Sequence, residues 1–337
     1  CYAKLFLSLT GNNGLLAAAG ANQPAYSIDQ SLRFNRADGA YQSRTFSASN
    51  RKTWTWSGWF KLADPSVADG SVGHRRLFGV NIANNDSQTF ELGINQNNKL
   101  NATGWSNNFR TTTAVYRDPS QWYHCVWVFD STDSTADDRL KLYVNGEQIT
   151  SFTGDYANPS QGFTSIGHAQ SSADYNIGGY GTGRNWDGQM SQIIFTDGQS
   201  YGPETFGQTD TSSGRWIPKS LGSITYGNRG YRLDFGAPAD LGNDSSGNGN
   251  DFTPVELPQT RAHSLSSPTT EYPAMDDYQG SYLAGYSNAH MRFSGSTSSQ
   301  TSLPRSTIAF DVEDSDGYYC EFKNVATSSF GSNFNGY

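Results

Sequence analysis

The chain of 337 residues has 16 % charged and 35 % hydrophobic residues, 14 % aromatics and 36 glycines. An average globular protein carries about 25 % charged residues, and the shift toward aromatic, Gly, Asn, Ser and Thr residues favours strands and turns over helices. A net charge of −8 with no Lys/Arg cluster excludes a nucleic-acid footprint, and no apolar run approaches the roughly 18 residues of a membrane span.

Three cysteines, Cys1, Cys125 and Cys320, are an odd and sparse set that does not make a disulfide framework. The core must come from packing, and no intrachain disulfide is expected. Residues 1–25 read as a lead segment. Strand-like runs then recur at 31–35, 53–62, 76–81, 89–95, 102–106, 122–130, 139–144, 164–168, 175–178, 189–195 and 230–235, with polar, Gly-rich punctuation between them. Many short strands at such spacing predict an all-β, two-sheet antiparallel sandwich over 26–254. No segment sustains a 3.6-residue apolar period, so little helix is expected.

Two runs locate the core. In "KTWTWSGWFK" (52–61), Trp54, Trp56, Gly58 and Phe60 share one face of a strand, and Thr55, Ser57 and Trp59 share the other. The first is a core face. Gly58 is expected to leave room for a bulky cross-strand neighbour. Trp59, on the polar face, reads as scaffold rather than as a sugar platform. In "QWYHCVWVF" (121–129) both alternating faces are largely apolar, which predicts a central strand covered on both sides. Asn145-Gly146 in "YVNGEQI" predicts a type I′ hairpin turn. All eight tryptophans fall between Trp54 and Trp216, within the first domain. Residues 242–254 form a turn cluster. Residues 255–280, with Pro, Ser and Thr and no periodicity, predict a linker. Strand-like runs at 305–312 and 317–325 predict a partial second β domain over 281–337.

The chemistry-bearing motifs are weak. Gly198-Gln199-Ser200-Tyr201-Gly202 fits the letters of a nucleophile elbow. Pro203 follows it, however, and no parallel sheet is predicted to hold it. The five histidines lack zinc-site spacing. No strand carries the closely spaced carboxylates of a retaining glycosidase. No catalytic residue is therefore assigned, and no cofactor is required. Oxygen-rich stretches occur at Asn84-Asn85-Asp86, at Asp174-Tyr175-Asn176, and at Asp240, Asn243, Asp244, Asn248 and Asp251. Calcium takes about six to eight such oxygens, but the same residues are ordinary turn formers. "GGYGTGRNW" (178–186) lacks the phosphate-loop pattern and reads as a rim loop presenting Tyr180.

Four stretches together, "SLRFNRADGAYQSRTFSASNRKTWTWSGWFK", "QWYHCVWVFDSTDSTADDRLKLYVNGEQITSF", "NWDGQMSQIIFTDGQ" and "DLGNDSSGNGNDFT", resemble the laminin-G-like, concanavalin A-type jelly-roll domain. More narrowly, they resemble its version in tail-fibre-like virion proteins of marine bacteriophages. "RSTIAFDVEDSDGYYCEFKNV" (305–325) resembles the opening strands of a SPRY-type sandwich. The resemblance implies a domain that binds glycans or proteins, often with calcium at one rim. Gln192 stands where relatives often carry an acid, which weakens a metal assignment.

The function expected is a non-enzymatic virion structural protein, a tail fibre or capsid appendage on the virion exterior. It would be a homotrimer that binds a host-surface glycan or receptor beside other virion proteins. Asn84, Asn85, Asp86, Asp174, Tyr175, Asn176 and Tyr180 are the expected ligand-binding rim. A secreted or cell-surface lectin is the alternative, followed by a polysaccharide-cleaving enzyme.

Overall fold

The computed structural model describes residues 26–47, 50–63, 65, 74–81, 90–104, 107–154, 156–165, 172–180 and 184–269, together with short strand pieces up to residue 306. These residues belong to one compact unit, Pro24–Thr307.

The strands run β1 (Ser31–Phe34), β2 (Tyr41–Ser47), β3 (Thr53–Leu62), β4 (Arg75–Asn81), β5 (Phe90–Ile94), β6 (Leu100–Gly104), β7 (Asn107–Thr111) and β8 (Tyr123–Asp130). They continue with β9 (Leu140–Val144), β10 (Glu147–Ile149), β11 (Ser172–Ile177), β12 (Gly188–Asp197), β13 (Gly207–Thr209), β14 (Trp216–Pro218), β15 (Tyr231–Leu233) and β16 (Thr253–Val255). One α-helical turn, α1 (Gln259–Ala262), leads into β17 (His263–Ser264). Sheet A has the order β10-β9-β8-β3-β12-β1-β17, with β15 also paired to β12, and sheet B has the order β16-β2-β11-β4-β5-β6-β7. Every pairing in the two sheets is antiparallel. The expected two-sheet sandwich is the fold.

The inward faces follow the period-2 pattern of the sequence. Trp54, Trp56 and Phe60 of β3 meet Cys125, Trp127 and Phe129 of β8 and Phe78, Phe90 and Leu92 of sheet B in one buried cluster. The Trp54 ring stacks 5.3 Å from Phe129 and stands edge-on 5.4 Å from Phe90. Gly58 does make room, but for its own strand. A Cβ there would come within 2.7 Å of the Trp56 ring, so the indole lies along β3 over the glycine.

The other face of β3 is also buried. Val126 and Val128 of β8, Ile194 of β12 and Phe206 form a second apolar cluster, joined by Tyr143, Tyr201, Leu221, Ile224 and Tyr226. The 198–226 segment, carrying the β13–β14 hairpin, supplies most of this cover. Trp59 is 4 % exposed and stacks 4.7 Å from His124, so it is scaffold as expected. Trp216 Nε1–H donates to His124 Nδ1 at 2.9 Å. That leaves the ring proton on Nε2, which donates to Ser57 Oγ at 2.9 Å. Burial pushes the His124 pKa down to about 3, so the ring is neutral and locked.

The hairpin turn has φ of 49° at Asn145 and 85° at Gly146, as the Asn-Gly pair demands. Both edges of sheet B are closed. β16 contains Pro254, which has no N–H. Beyond β7, Thr113 N–H donates to Ser151 O, Thr153 N–H to Thr111 O and Ala157 N–H to Asn108 O at 2.7–3.2 Å.

The expected linker differs from the structure. Leu257 and Ala262 join the main core, and β17 pairs with β1. Thr269 exchanges hydrogen bonds with the Ile28 backbone. The sandwich therefore runs to residue 269. Pairing of two residues in a Ser/Pro stretch leaves no periodic signal to read. Two ladders, β18 (Met275–Asp276) with β21 (Arg305–Ser306) and β19 (Leu283–Ser287) with β20 (Arg292–Gly295), lie in the expected second domain and its approach. Cys1, Cys320, the 317–325 run and most of 164–168 lie outside the described residues. No described helix is long and apolar enough to cross a membrane.

Trp56→Ala is expected to cost about 3–5 kcal/mol, as for other large aromatic truncations in cores, read from the denaturation midpoint. The His124 ring takes up a proton far more readily unfolded than folded. Stability is therefore expected to fall as pH drops from about 6.5 toward 3, and His124→Gln should flatten that part of the stability–pH curve.

Candidate functional site

The 198–226 segment covers the middle of sheet A's outer face, while the outer face of sheet B carries a connected cluster of charged and polar side chains. Phe46, Phe78, Val80, Phe90, Leu92, Ile94, Leu100, Ala102, Tyr175 and Ile177 fill the core from sheet B. Their neighbours in the alternation therefore point outward: Ser43 and Thr45 on β2, Asp174 and Asn176 on β11, Arg76, Gly79 and Asn81 on β4, Glu91 on β5, and Asn101 on β6. A bulge between Arg76 and Phe78 puts Leu77 into the core and keeps Arg76 outside.

Arg76 lies flat on this face. A Cβ at Gly79 would come within 2.5 Å of its Cδ, so the glycine provides the channel in which the side chain rests. The guanidinium bonds the Glu91 carboxylate and reaches Asn81 Oδ1 at 3.3 Å. The Tyr180 ring centroid is 5.9 Å from it, within cation–π range. Arg184 approaches the same Glu91 oxygen from the 178–186 loop. Its backbone takes a φ of 58°, and its carbonyl accepts the Arg76 backbone N–H at 2.9 Å. His74 is bonded to Asn101 at 3.1 Å.

The electrostatics follow from burial and pairing. Burial pulls the Glu91 carboxyl upward, but Arg76 and Arg184 outweigh it and hold it below the usual range. Burial lowers the His74 pKa, Glu91 opposing and the two guanidiniums adding to the effect, so His74 is neutral. Burial, followed by Asp174 and Tyr41, raises the Tyr180 phenol. Tyr41 and Tyr180 are partly exposed, with ring centroids 6.4 Å apart and planes tilted by 57°. Asp174 accepts the Thr45 hydroxyl at 2.5 Å. Asn176 is fully buried. Its amide donates weakly to Asp174 O at 3.3 Å, while its Oδ1 has no hydrogen-bond partner.

The expected rim is only partly this site. Asn84, Asn85 and Asp86 lie outside the described residues. Asp174, Tyr175 and Asn176 are in β11, not in a loop. Tyr175 is 1 % exposed and packs on Phe46, Phe78 and Phe195. This corrects its place on the rim: Ala173, Tyr175 and Ile177 alternate inward. Asp174, Asn176 and Tyr180 do gather on the outer face. The sequence reading missed Arg76, Glu91, Arg184, Asn81 and Tyr41. The one available signal was Glu91, set between the core residues Phe90 and Leu92; Arg76 has the sequence phase of Phe78 and Val80 and reaches the outer face only through the bulge, and Arg184 lies in a loop.

The other oxygen-rich stretch is a turn. The Asp244 carboxylate accepts Arg232 N–H, Ser246 N–H, Ser246 Oγ–H and Asn250 N–H at 2.8–2.9 Å. Asp251 Oδ1 accepts the Asp244 N–H at 2.8 Å. Donors face these oxygens, the environment of an anion and not of a calcium ion. Among the described residues, no three His, Cys, Asp or Glu side chains stand together as metal ligands. Ser200 is exposed and leads into a 3₁₀ turn at Pro203–Thr205, not into the helix a nucleophile elbow needs.

Residues 35–199 match the family described as the concanavalin A-like lectin/glucanases superfamily. The matched span holds all the outer-face residues named above. No curated protein matches the chain in sequence. Among solved structures, the fold is similar to a heptameric SAP-like pentraxin from Limulus polyphemus, at 19 % identity over 51 % of this chain and 77 % of that one, with a TM-score of 0.34. It is similar to the CBM40 of the Ruminococcus gnavus IT-sialidase bound to α2,3-sialyllactose, at 14 % identity over 50 % and 92 %, with a TM-score of 0.31. It is also similar to domains LG4-5 of the mouse laminin α1 chain, at 13 % identity over 58 % and 47 %, with a TM-score of 0.32.

Glu91→Ala leaves two guanidiniums without their shared anion and is expected to destabilise by about 3–5 kcal/mol, measured by chemical denaturation. Because the Glu91 pKa is depressed on folding, the stability it contributes is present above its unfolded pKa and is lost as pH falls through its folded one. Glu91→Gln should remove that part of the acid limb.

Proposed function

We propose that the lectin-type domain binds glycan on the outer face of sheet B, with Tyr41 and Tyr180 as ring platforms and Asp174, Asn176 and Arg184 beside them. The observation that carries this reading is the Arg76–Glu91–Arg184 cluster. A buried ion-pair network is poor value for stability alone. This one fixes the Arg184 loop and the ring of Tyr180 at the edge of an aromatic pair. Fixing an aromatic ring before binding reduces the entropy lost when a sugar stacks on it. The match to a superfamily of lectins and glucanases supports a glycan-facing module, and no cofactor is invoked.

The wider setting we propose is a virion structural protein, a tail fibre or capsid appendage of a bacteriophage, outside the host cell and in contact with a host-surface glycan or receptor. Its support is the resemblance of the four quoted stretches, and of residues 305–325 to a SPRY-type domain. A trimer would present three weak sites to one surface and gain by avidity.

The purified full chain on a printed glycan array tests the binding site. Tyr180→Ala is expected to lower affinity roughly tenfold, equivalent to about 1.4 kcal/mol, with the thermal midpoint unchanged. Unaltered binding in that variant would move the site elsewhere.

A further inference from the structure

Resting on this reading of the site, we infer that its ligand is an uncharged glycan, recognised through hydroxyl donors and ring stacking, and not a sialylated, uronate or sulfated one. Charge and hydrogen-bond accounting carry the inference. Around Tyr180 the outer face holds two guanidiniums, Arg76 and Arg184, and two carboxylates, Glu91 and Asp174. His74 adds no charge, because burial keeps it neutral. Arg75, the next cation along β4, is turned away; it donates to Asn95 O and Asn98 Oδ1. Among the described residues the site therefore has no net positive charge, within a chain of net charge −8.

The guanidiniums are also committed. Arg76 serves Glu91 and Asn81, and Arg184 serves the same Glu91 oxygen. A ligand carboxylate or sulfate would have to compete with Glu91 for them, and it would meet Asp174 at close range. What the face offers instead is an acceptor, the Asp174 carboxylate. Asn176 Oδ1 is buried without a partner, on the strand position flanked by Ser43 of β2 and Gly79 of β4. The Asp174 carboxylate stands two residues away on the same face and is part-exposed. The Asp174 carboxylate, unlike the sealed Asn176 amide, is open to solvent, and a sugar hydroxyl is a donor whose hydrogen bond it can accept. Neutral pyranoses combine such donors with an apolar face for Tyr41 or Tyr180.

The test is an array carrying neutral and acidic glycans in similar number, read at low and high NaCl with wild type and Tyr180→Ala. Tyr41→Ala takes the place of Tyr180→Ala if the latter fails to fold. The inference expects neutral glycans to be retained, a signal changing less than about twofold with salt, because no ligand charge is screened, and loss of that signal in the tyrosine variant. Acidic glycans bound in preference, with a signal that falls with salt and disappears in the tyrosine variant, would uphold the site and overturn the neutral ligand. Absence of binding, or binding that ignores both tyrosines, would overturn the site and the inference with it.

Discussion

Strand β3 has no solvent face, and much of the molecule is arranged around that constraint. Its two tryptophans of one phase, Trp54 and Trp56, fill the space between the sheets. Its other phase, Thr55, Ser57 and Trp59, lies buried under the segment that follows β12. A strand of this kind must be central, and it is, with β8 on one side and β12 on the other. Its outer face can be dry only if polar groups there are satisfied. The Ser57–His124–Trp216 chain of hydrogen bonds does this, and it also ties the β13–β14 hairpin to the sheet.

The consequence for function is one of allocation. A sandwich has two outer faces, and here sheet A uses its own for packing. The paired charges gather on the outside of sheet B, where Arg76, Glu91, Asn101, Asp174 and Asn176 stand among neighbouring strands. The bulge at Arg76 is a local departure from regular geometry, and with the missing side chain at Gly79 it serves the placement of one guanidinium. Arg184, in a left-handed backbone conformation, is a second departure at the same place. Such strain persists only where the surrounding structure holds it.

The sequence shows its core far more clearly than its site. β3 and β8 declare themselves because each places large apolar residues in one phase over eight or more positions. β2 escaped because "YQSRTFS" offers one large apolar residue to the core, Phe46, while a glutamine, Gln42, takes another buried position by donating to Leu241 O. Tyr175 was misplaced because the Asp and Asn flanking it look like a turn, whereas the phase of Ala173, Tyr175 and Ile177 is that of a strand. The Arg76–Glu91–Arg184 cluster joins residues 15 and 93 positions apart. No local spacing encodes such a contact; it exists only once β4, β5 and the 178–186 loop are side by side.

The closed edges of sheet B bear on crowding. An open edge invites a second chain to extend the ladder through its backbone, regardless of side chains. Pro254 on one side and the Ser151–Ala157 segment on the other withhold that invitation. Copies meeting along sheet B would therefore touch through side chains, where shape and charge can discriminate, and not by extending its ladder.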